Sequence, residues 1–486
     1  MPSTRQRSKT VDATGNDPVT WAMWGLASIV VLGAFTSMLS STIATTAVPS
    51  IGGDLHASRS ATQWVSTAYL LALAAGVPFS AWAGRRLGPT RLWLGSLALF
   101  AGFSVACALS VNLPMLIAGR VLQGLVGGLL VPAGQTILGI VAGKGRLGRI
   151  TGTIGIAIVV APTLGTTVGG LIDEHLSWSW LFWINVPLCF VALLAGVRWL
   201  PRVQIAAAGH LDLAGLVLVV AGIPLLTYGV SAIGQAIGSG SVSADAYVVA
   251  GIVLLSAFTL RSLRSAEPLL RLRLFADRVF AAAAAVMFFG GAVNFGAQVV
   301  LPLYFVQARG ESLVTAGLLI GPQIIGTALG FPLAGRLTDR NGAGGLLLAG
   351  GVITALATVP LALIGEHTDF LWLTVVLFVR GFGVALSTIP AMTAGLAAVD
   401  PDQLPDAAPL LNLLQRTGAS IGTAVVAVLY NSHLTGAGHE HAVDAFGYAS
   451  WWLLAGAVLL TFPAAVLARA ERRNRSVREA ATLHRW

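Results

Sequence analysis

The sequence predicts an all-α polytopic membrane protein with fourteen transmembrane helices, arranged as six, two and six. Of its 486 residues, 56% are hydrophobic and only 10% are charged, against about 25% charged in an average soluble domain. Mean hydropathy is +0.81. The apolar residues fall in fourteen stretches near the length of about 20 residues that crosses a hydrocarbon core. Gly (57 residues) and Trp (13) are frequent, which suits helices packed through small residues and anchored at the interface by indole rings.

Along the chain, residues 1–20 form a polar tail with Arg5, Arg7 and Lys9. The apolar run after it is too long for a signal-peptide core and lacks a small-residue cleavage pattern. Spans are expected over 21–48, 61–83, 92–109, 114–138, 150–172 and 178–197, within a first unit, 21–200. Two more, 213–233 and 247–263, lie within 201–264, and a basic segment, 265–279, follows. The last six, 280–305, 313–335, 346–364, 370–397, 407–430 and 448–468, make the unit 280–468, with a basic tail at 469–486. Cys107 and Cys189 sit in apolar runs and read as small packing residues, not as a disulfide or metal site.

Lys and Arg near span ends stay on the cytosolic side. Placing both termini there puts nearly all of the 29 basic residues inside, leaving Arg59 and Arg309 outside and Arg120, Arg380 and Arg416 within spans. This asymmetry accounts for the net charge of +9 without nucleic acid as a partner. The basic tail reads as a solvated segment near anionic headgroups, and the dominance of Arg over Lys fits a bacterial plasma membrane protein of GC-rich coding.

Several motifs recur. The second and third spans are joined by GRRLGPTR (Gly84 to Arg91), the tenth and eleventh by GRLTDRNG (Gly335 to Gly342), which contains Asp339 and Arg340. Span four holds GRVLQGLVGG, with Arg120 and Gly124, and span twelve repeats the idea in RGFG at Arg380. Span five holds APTLGTTVGG, with Gly165, Gly169 and Gly170; then come WSWLFWINVP (Trp178 to Pro187), WVSTAY (Trp64 to Tyr69), PLLRLRLFADRVF (Pro268 to Phe280) and NLLQRTGASIGTA (Asn412 to Ala424). Together these resemble the major facilitator superfamily and, within it, the fourteen-span drug:proton antiporters of the EmrB/QacA type, over nearly the whole chain. The resemblance implies a major facilitator fold with two pseudo-symmetric six-helix halves, alternating access, and a proton gradient as driving force in place of any cofactor. It makes Arg120, Gly124, Gly165, Gly169, Gly170, Asp339, Arg340 and Arg380 candidates for conformational switching or coupling.

The sequence departs from that family at the end of span one, LSSTIATTAVP, where Ser40 stands in place of the usual aspartate and Thr45 in place of an asparagine. No acidic residue lies in the core of any span, so Asp54 and Asp406 are the remaining candidates for proton coupling. A helix-capping role is preferred for Asp212 and Asp406. The interior holds Arg120, Arg380 and Arg416 with no acid beside them, at about 2.5 to 3.5 kcal/mol each on insertion scales. This predicts a neutral or anionic amphipathic cargo. Candidate cavity residues are Ser40, Thr45, Trp64, Tyr69, Asn294, Gln298, Asn412, Gln415 and Arg416; a hydroxyl stripe on span one (Ser37, Ser41, Thr45) also reads as bonded to its own helix backbone.

The expected function is secondary export of small amphipathic molecules, with a facilitator or dedicated metabolite transporter that does not use protons as the alternative. The chain carries no G-x-x-x-x-G-K-[ST], H-E-x-x-H or G-x-S-x-G pattern, so ATP-driven pumping and ordinary hydrolysis have no sequence basis. Expected partners are a small-molecule substrate and the bilayer; the sequence specifies no accessory protein.

Overall fold

The computed structural model describes residues 19–143, 145–203, 209–236, 243–365, 368–434 and 439–483. Arg5, Arg7 and Lys9 of the expected tail, with Lys144, Glu366 and Arg485, lie outside the described residues. Among the described residues, fourteen helices are long and apolar enough to cross a membrane. Spans 1 to 6 are Trp21–Thr46, Arg59–Leu87, Pro89–Ala108, Leu113–Ala142, Leu147–His175 and Trp180–Trp199. Spans 7 and 8 are Leu213–Val230 and Ala244–Arg264. Spans 9 to 14 are Arg278–Ala308, Val314–Asn341, Ala343–Ala362, Phe370–Ala398, Leu404–His433 and His441–Glu471.

The helices outrun the apolar stretches. Span 10 stays helical through Asp339 and Arg340, so the expected loop shrinks to Gly342, and span 2 continues through Arg85 to Leu87. A helix satisfies its own backbone, so it can project past the hydrocarbon into polar sequence that a hydropathy scan reads as loop. Both turns are made by a glycine in the left-handed region, Gly88 (φ 82°) and Gly342 (φ 88°), where a side chain would be strained. The two copies of the motif therefore align on Gly88 and Gly342, not on Gly84 and Gly335. Three residues back from each, Arg85 occupies the station of Asp339.

Spans 1–6 and 9–14 repeat the same pairings: 1 on 5 and 9 on 13, 2 on 4 and 10 on 12, 3 on 4 and 11 on 12. Lipid tails give helices no hydrophobic reason to associate, so close backbone approach holds them together. A Cβ on Gly124 would strike the Tyr69 carbonyl, one on Gly128 the Leu73 carbonyl, and one on Gly326 the Phe378 carbonyl. Gly165 and Gly169 lie in the same way against Thr42 and Thr46 of span 1, whereas a Cβ on Gly170 would meet nothing within 4 Å.

The halves meet where span 2 packs on 13 and span 5 on 10. Span 7 lies against both span 13 and span 2, and span 8 against span 7. The extra pair thus packs on the outside of the bundle, over one seam between the halves. Asp212 caps span 7 by accepting from the Gly215 N–H at 2.9 Å, and pairs with Arg261 Nε of span 8 at 2.7 Å. The end that holds Gly88, Gly143, Gly342 and the segment before span 9 is called the basic end below.

Gly124→Val places methyl groups on a backbone carbonyl that has no flexible side chain to give way. We expect a loss of about 1–3 kcal/mol, typical of overpacking, seen as a lowered melting temperature of the purified protein; Gly170→Ala leaves it unchanged.

Candidate functional site

In the first half, the polar residues of the interior close on one another. Arg120 is fully buried and donates from Nε to the Val65 carbonyl (3.0 Å), from Nη2 to the Ser40 carbonyl (3.0 Å), and from Nη1 to Ser40 Oγ (3.0 Å) and Gln123 Oε1 (2.7 Å). Gln123 in turn donates to Ser104 Oγ at 2.6 Å. The guanidinium lies 3.9 Å from the Tyr69 ring centroid and 5.6 Å from that of Phe182, so the phenylalanine of the WSWLFWINVP stretch forms one wall around this charge. Tyr69 is also fully buried, with its hydroxyl donating to the Ser37 carbonyl at 2.7 Å. Ser40 therefore sits on the arginine that an aspartate there would neutralise, and neutral acceptors and π-faces surround Arg120 instead. Thr45 is exposed and bonds the Thr42 carbonyl of its own helix at 2.5 Å, and Trp64 is exposed at 52% at the far end of span 2.

The second half differs. Arg380 corresponds to Arg120: it is fully buried, donating from Nη2 to the Val293 carbonyl (2.9 Å) and from Nε to Thr358 Oγ1 (3.3 Å). Its Nη1 has no partner among the described residues. Asn294, Gln415 and Arg416 are half-buried and Gln298 is exposed, and their side chains make no hydrogen bond or ion pair among the described residues. Gln415, Ser387, Thr388, Gly290, Val286 and Met287 line one small cleft with room for about one water molecule. Asn412, one turn away, does not share this space; it is buried and donates to Gln135 Oε1 of span 4 at 2.5 Å and to the Ala408 carbonyl.

Two ion pairs cross between the halves at the basic end. Asp339 of span 10 accepts from the Gly148 N–H (2.7 Å), the Arg149 N–H (3.0 Å) and Arg149 Nε (3.0 Å) at the start of span 5. Asp406 of span 13, fully buried, pairs with Arg85 Nη1 of span 2 and lies 3.4 Å from Arg271 Nε. Arg85 Nη2 also donates to the Pro268 and Leu269 carbonyls at 3.1 and 3.3 Å. Asp406 is thus more than a capping charge. Arg85 and Asp339 are equivalent stations, and Arg149 and Asp406 are each third in their span, so the latches are related by the internal repeat with their charges exchanged.

Thr136 Oγ1 to the Leu404 carbonyl (3.3 Å) and Gln135 to Asn412 extend this closure inward. Gln135 escaped the sequence reading, although an amide inside an apolar run was its available signal. Arg340 is exposed at the basic end, and Asp54, also exposed, accepts from Trp178 Nε1 at 3.0 Å at the opposite end, bracing the first half. No group of three metal-binding side chains occurs among the described residues.

Asp406→Asn strips a buried arginine of its counter-charge, a change of about 3–5 kcal/mol for such pairs. A cysteine at Thr136, shielded by this closure, is expected to alkylate at least tenfold faster in Asp406→Asn than in its absence. The double exchange Arg85→Asp with Asp406→Arg, which reproduces the Asp339 and Arg149 pattern, is expected to slow it again.

Comparison with known proteins agrees with this architecture. The family model described as Major Facilitator Superfamily matches residues 30–423. A multidrug resistance protein B homolog of Mycobacterium tuberculosis (strain CDC 1551 / Oshkosh) is 33% identical over 410 residues, covering 83% of this chain and 75% of that protein. The lincomycin resistance protein LmrB of Listeria monocytogenes is 30% identical over 407 residues, covering 84% and 86%. Among solved structures, the human organic anion transporter MFSD10 superposes with a TM-score of 0.61 at 15% identity, over 92% of this chain and 99% of that one. The proton:xylose symporter XylE gives 0.61 at 15% identity, over 90% and 94%. With fourteen spans, a repeated six-helix pairing and relatives named for drug resistance, the chain belongs to the major facilitator superfamily and groups with its drug-efflux transporters.

Proposed function

We propose that this protein exports small neutral or anionic amphipathic molecules across a bacterial plasma membrane by alternating access, with both termini and the basic end in the cytosol. The halves 21–200 and 280–468 are the rocking units, and the latches at Asp339 and Asp406 hold the cytosolic side shut, so this state faces outward. The observation that carries the cargo reading is Arg416: a half-buried arginine at mid-span without an acidic partner among the described residues. A lipophilic cation placed there meets repulsion in a medium that screens little, whereas an anion or a strong hydrogen-bond acceptor finds its complement. The relatives' names, multidrug and lincomycin resistance, support efflux as the direction.

Proton coupling follows from likeness to the antiporters, and Ser40 removes the usual carrier. The bonds from Arg120 to Ser40 favour a second reading, a transporter that runs without protons, because no group at that position titrates. Accumulation of a charge-varied set of fluorescent compounds, in efflux-deficient bacteria with and without a protonophore, separates the two. Neutral and anionic members are expected to accumulate less when the protein is present, with anion export falling at least tenfold in Arg416→Ala. Export that survives the protonophore supports the second reading, and export confined to cations overturns the cargo assignment.

A further inference from the structure

We infer that the second half alone reads the polar head of the cargo, that this head is a carboxylate or similar anion, and that the hydroxyl stripe of span 1 takes no part. This rests on the export reading above and assigns the specificity within it.

The inference comes from an inventory of hydrogen bonds on the two facing walls. On the first half, Ser37 Oγ donates to the Gly127 carbonyl at 3.1 Å and contacts Tyr69 Oη at 3.3 Å, while Ser41 Oγ donates to the Met38 carbonyl at 2.5 Å. Thr42 Oγ1 reaches the Leu39 and Pro162 carbonyls, each at 3.3 Å. Ser40, Tyr69, Arg120 and Gln123 complete a closed network in which every member is buried. A ligand gains little from groups already bonded, since it must break one bond to make another.

On the second half, Asn294 and Gln415 present amides, and Arg416 a guanidinium, that have no protein partner among the described residues. Asn294 lies one helical turn from Gly290, and Gly290 and Gln415 line the same cleft. Arg416 follows Gln415 directly. The carbonyl of Val293, beside Asn294, holds Arg380, whose Nη1 is buried without a partner among the described residues. Two cations and two amides thus belong to spans 9, 12 and 13 of the second half, while the acids of spans 10 and 13, Asp339 and Asp406, are held at the basic end. A guanidinium binds a carboxylate through two parallel N–H bonds, and the amides supply further donors.

The test is equilibrium binding of a dansyl-labelled fatty acid, and of the matching dansyl-labelled fatty amine, to the purified full chain in uncharged detergent. The acid is expected to bind at least tenfold tighter than the amine. Arg416→Gln, Asn294→Leu and Gln415→Leu are each expected to weaken acid binding about tenfold, while Ser37→Ala and Ser41→Ala stay within twofold of the parent. Equal binding of acid and amine, or serine variants that weaken binding as much as the others, overturns the inference. Binding with this pattern but without vesicle transport of the same probe overturns the export reading instead, so the two failures are distinguishable.

Discussion

Backbone contact at glycines is the constraint on which the rest depends. In lipid the helices have no water to expel from between them, so cohesion comes from van der Waals contact and scarce polar bonds. Gly124 and Gly128 against span 2, Gly326 against span 12, and Gly165 and Gly169 against span 1 bring helices within backbone reach inside each half. Each half is thereby packed along its own length. What remains adjustable is the seam, where the contacts at the basic end include charged pairs.

Those pairs divide the labour of the chain's few charges. Asp339 gains from the N-terminal N–H groups of span 5 as well as from Arg149, because a helix start favours negative charge. Asp406 lies in the first turn of its own span and gains from the same dipole, with Arg85 and Arg271 supplying the positive partners. Exchanging the signs leaves an acid at a helix start in both places. An acid at a helix start is thus paired with an arginine at this seam too, although the first motif copy carries Arg85 where the second carries Asp339.

Much of the fold was legible because a hydrocarbon slab imposes length and polarity so strictly that fourteen spans stand out from composition alone. Helix ends were not, since Asp339 and Arg340 look like a loop to any hydropathy window yet continue a helix. For the site, the sequence singled out Arg120, Arg380 and Arg416 as interior charges and Ser40 as a departure. It did not separate them, because residue type is silent on whether a donor is already engaged: Arg120 makes four hydrogen bonds, Arg416 none among the described residues, and Asn412 shares its periodicity with Arg416 but reaches across to Gln135. Cross-half partners such as Arg85 and Asp406 are remote in sequence, and only the fold brings them together.

The segment joining the two halves looks generous, with two whole spans inside it. Its first part is nevertheless fastened to the first half, through Thr90 Oγ1 to the Pro201 carbonyl and Trp82 Nε1 to the Gly209 carbonyl. Its far part is fastened there too, where Arg85 grips Pro268 and Leu269. The remaining tether is only the stretch from Leu269 to Arg278, partly wound into a short 3₁₀ turn over Leu272–Ala276 and itself held to the second half where Arg271 meets Asp406. At no more than about 3.5 Å per extended residue, that is a short leash, and the hold of Arg85 on Pro268 and Leu269 keeps it short.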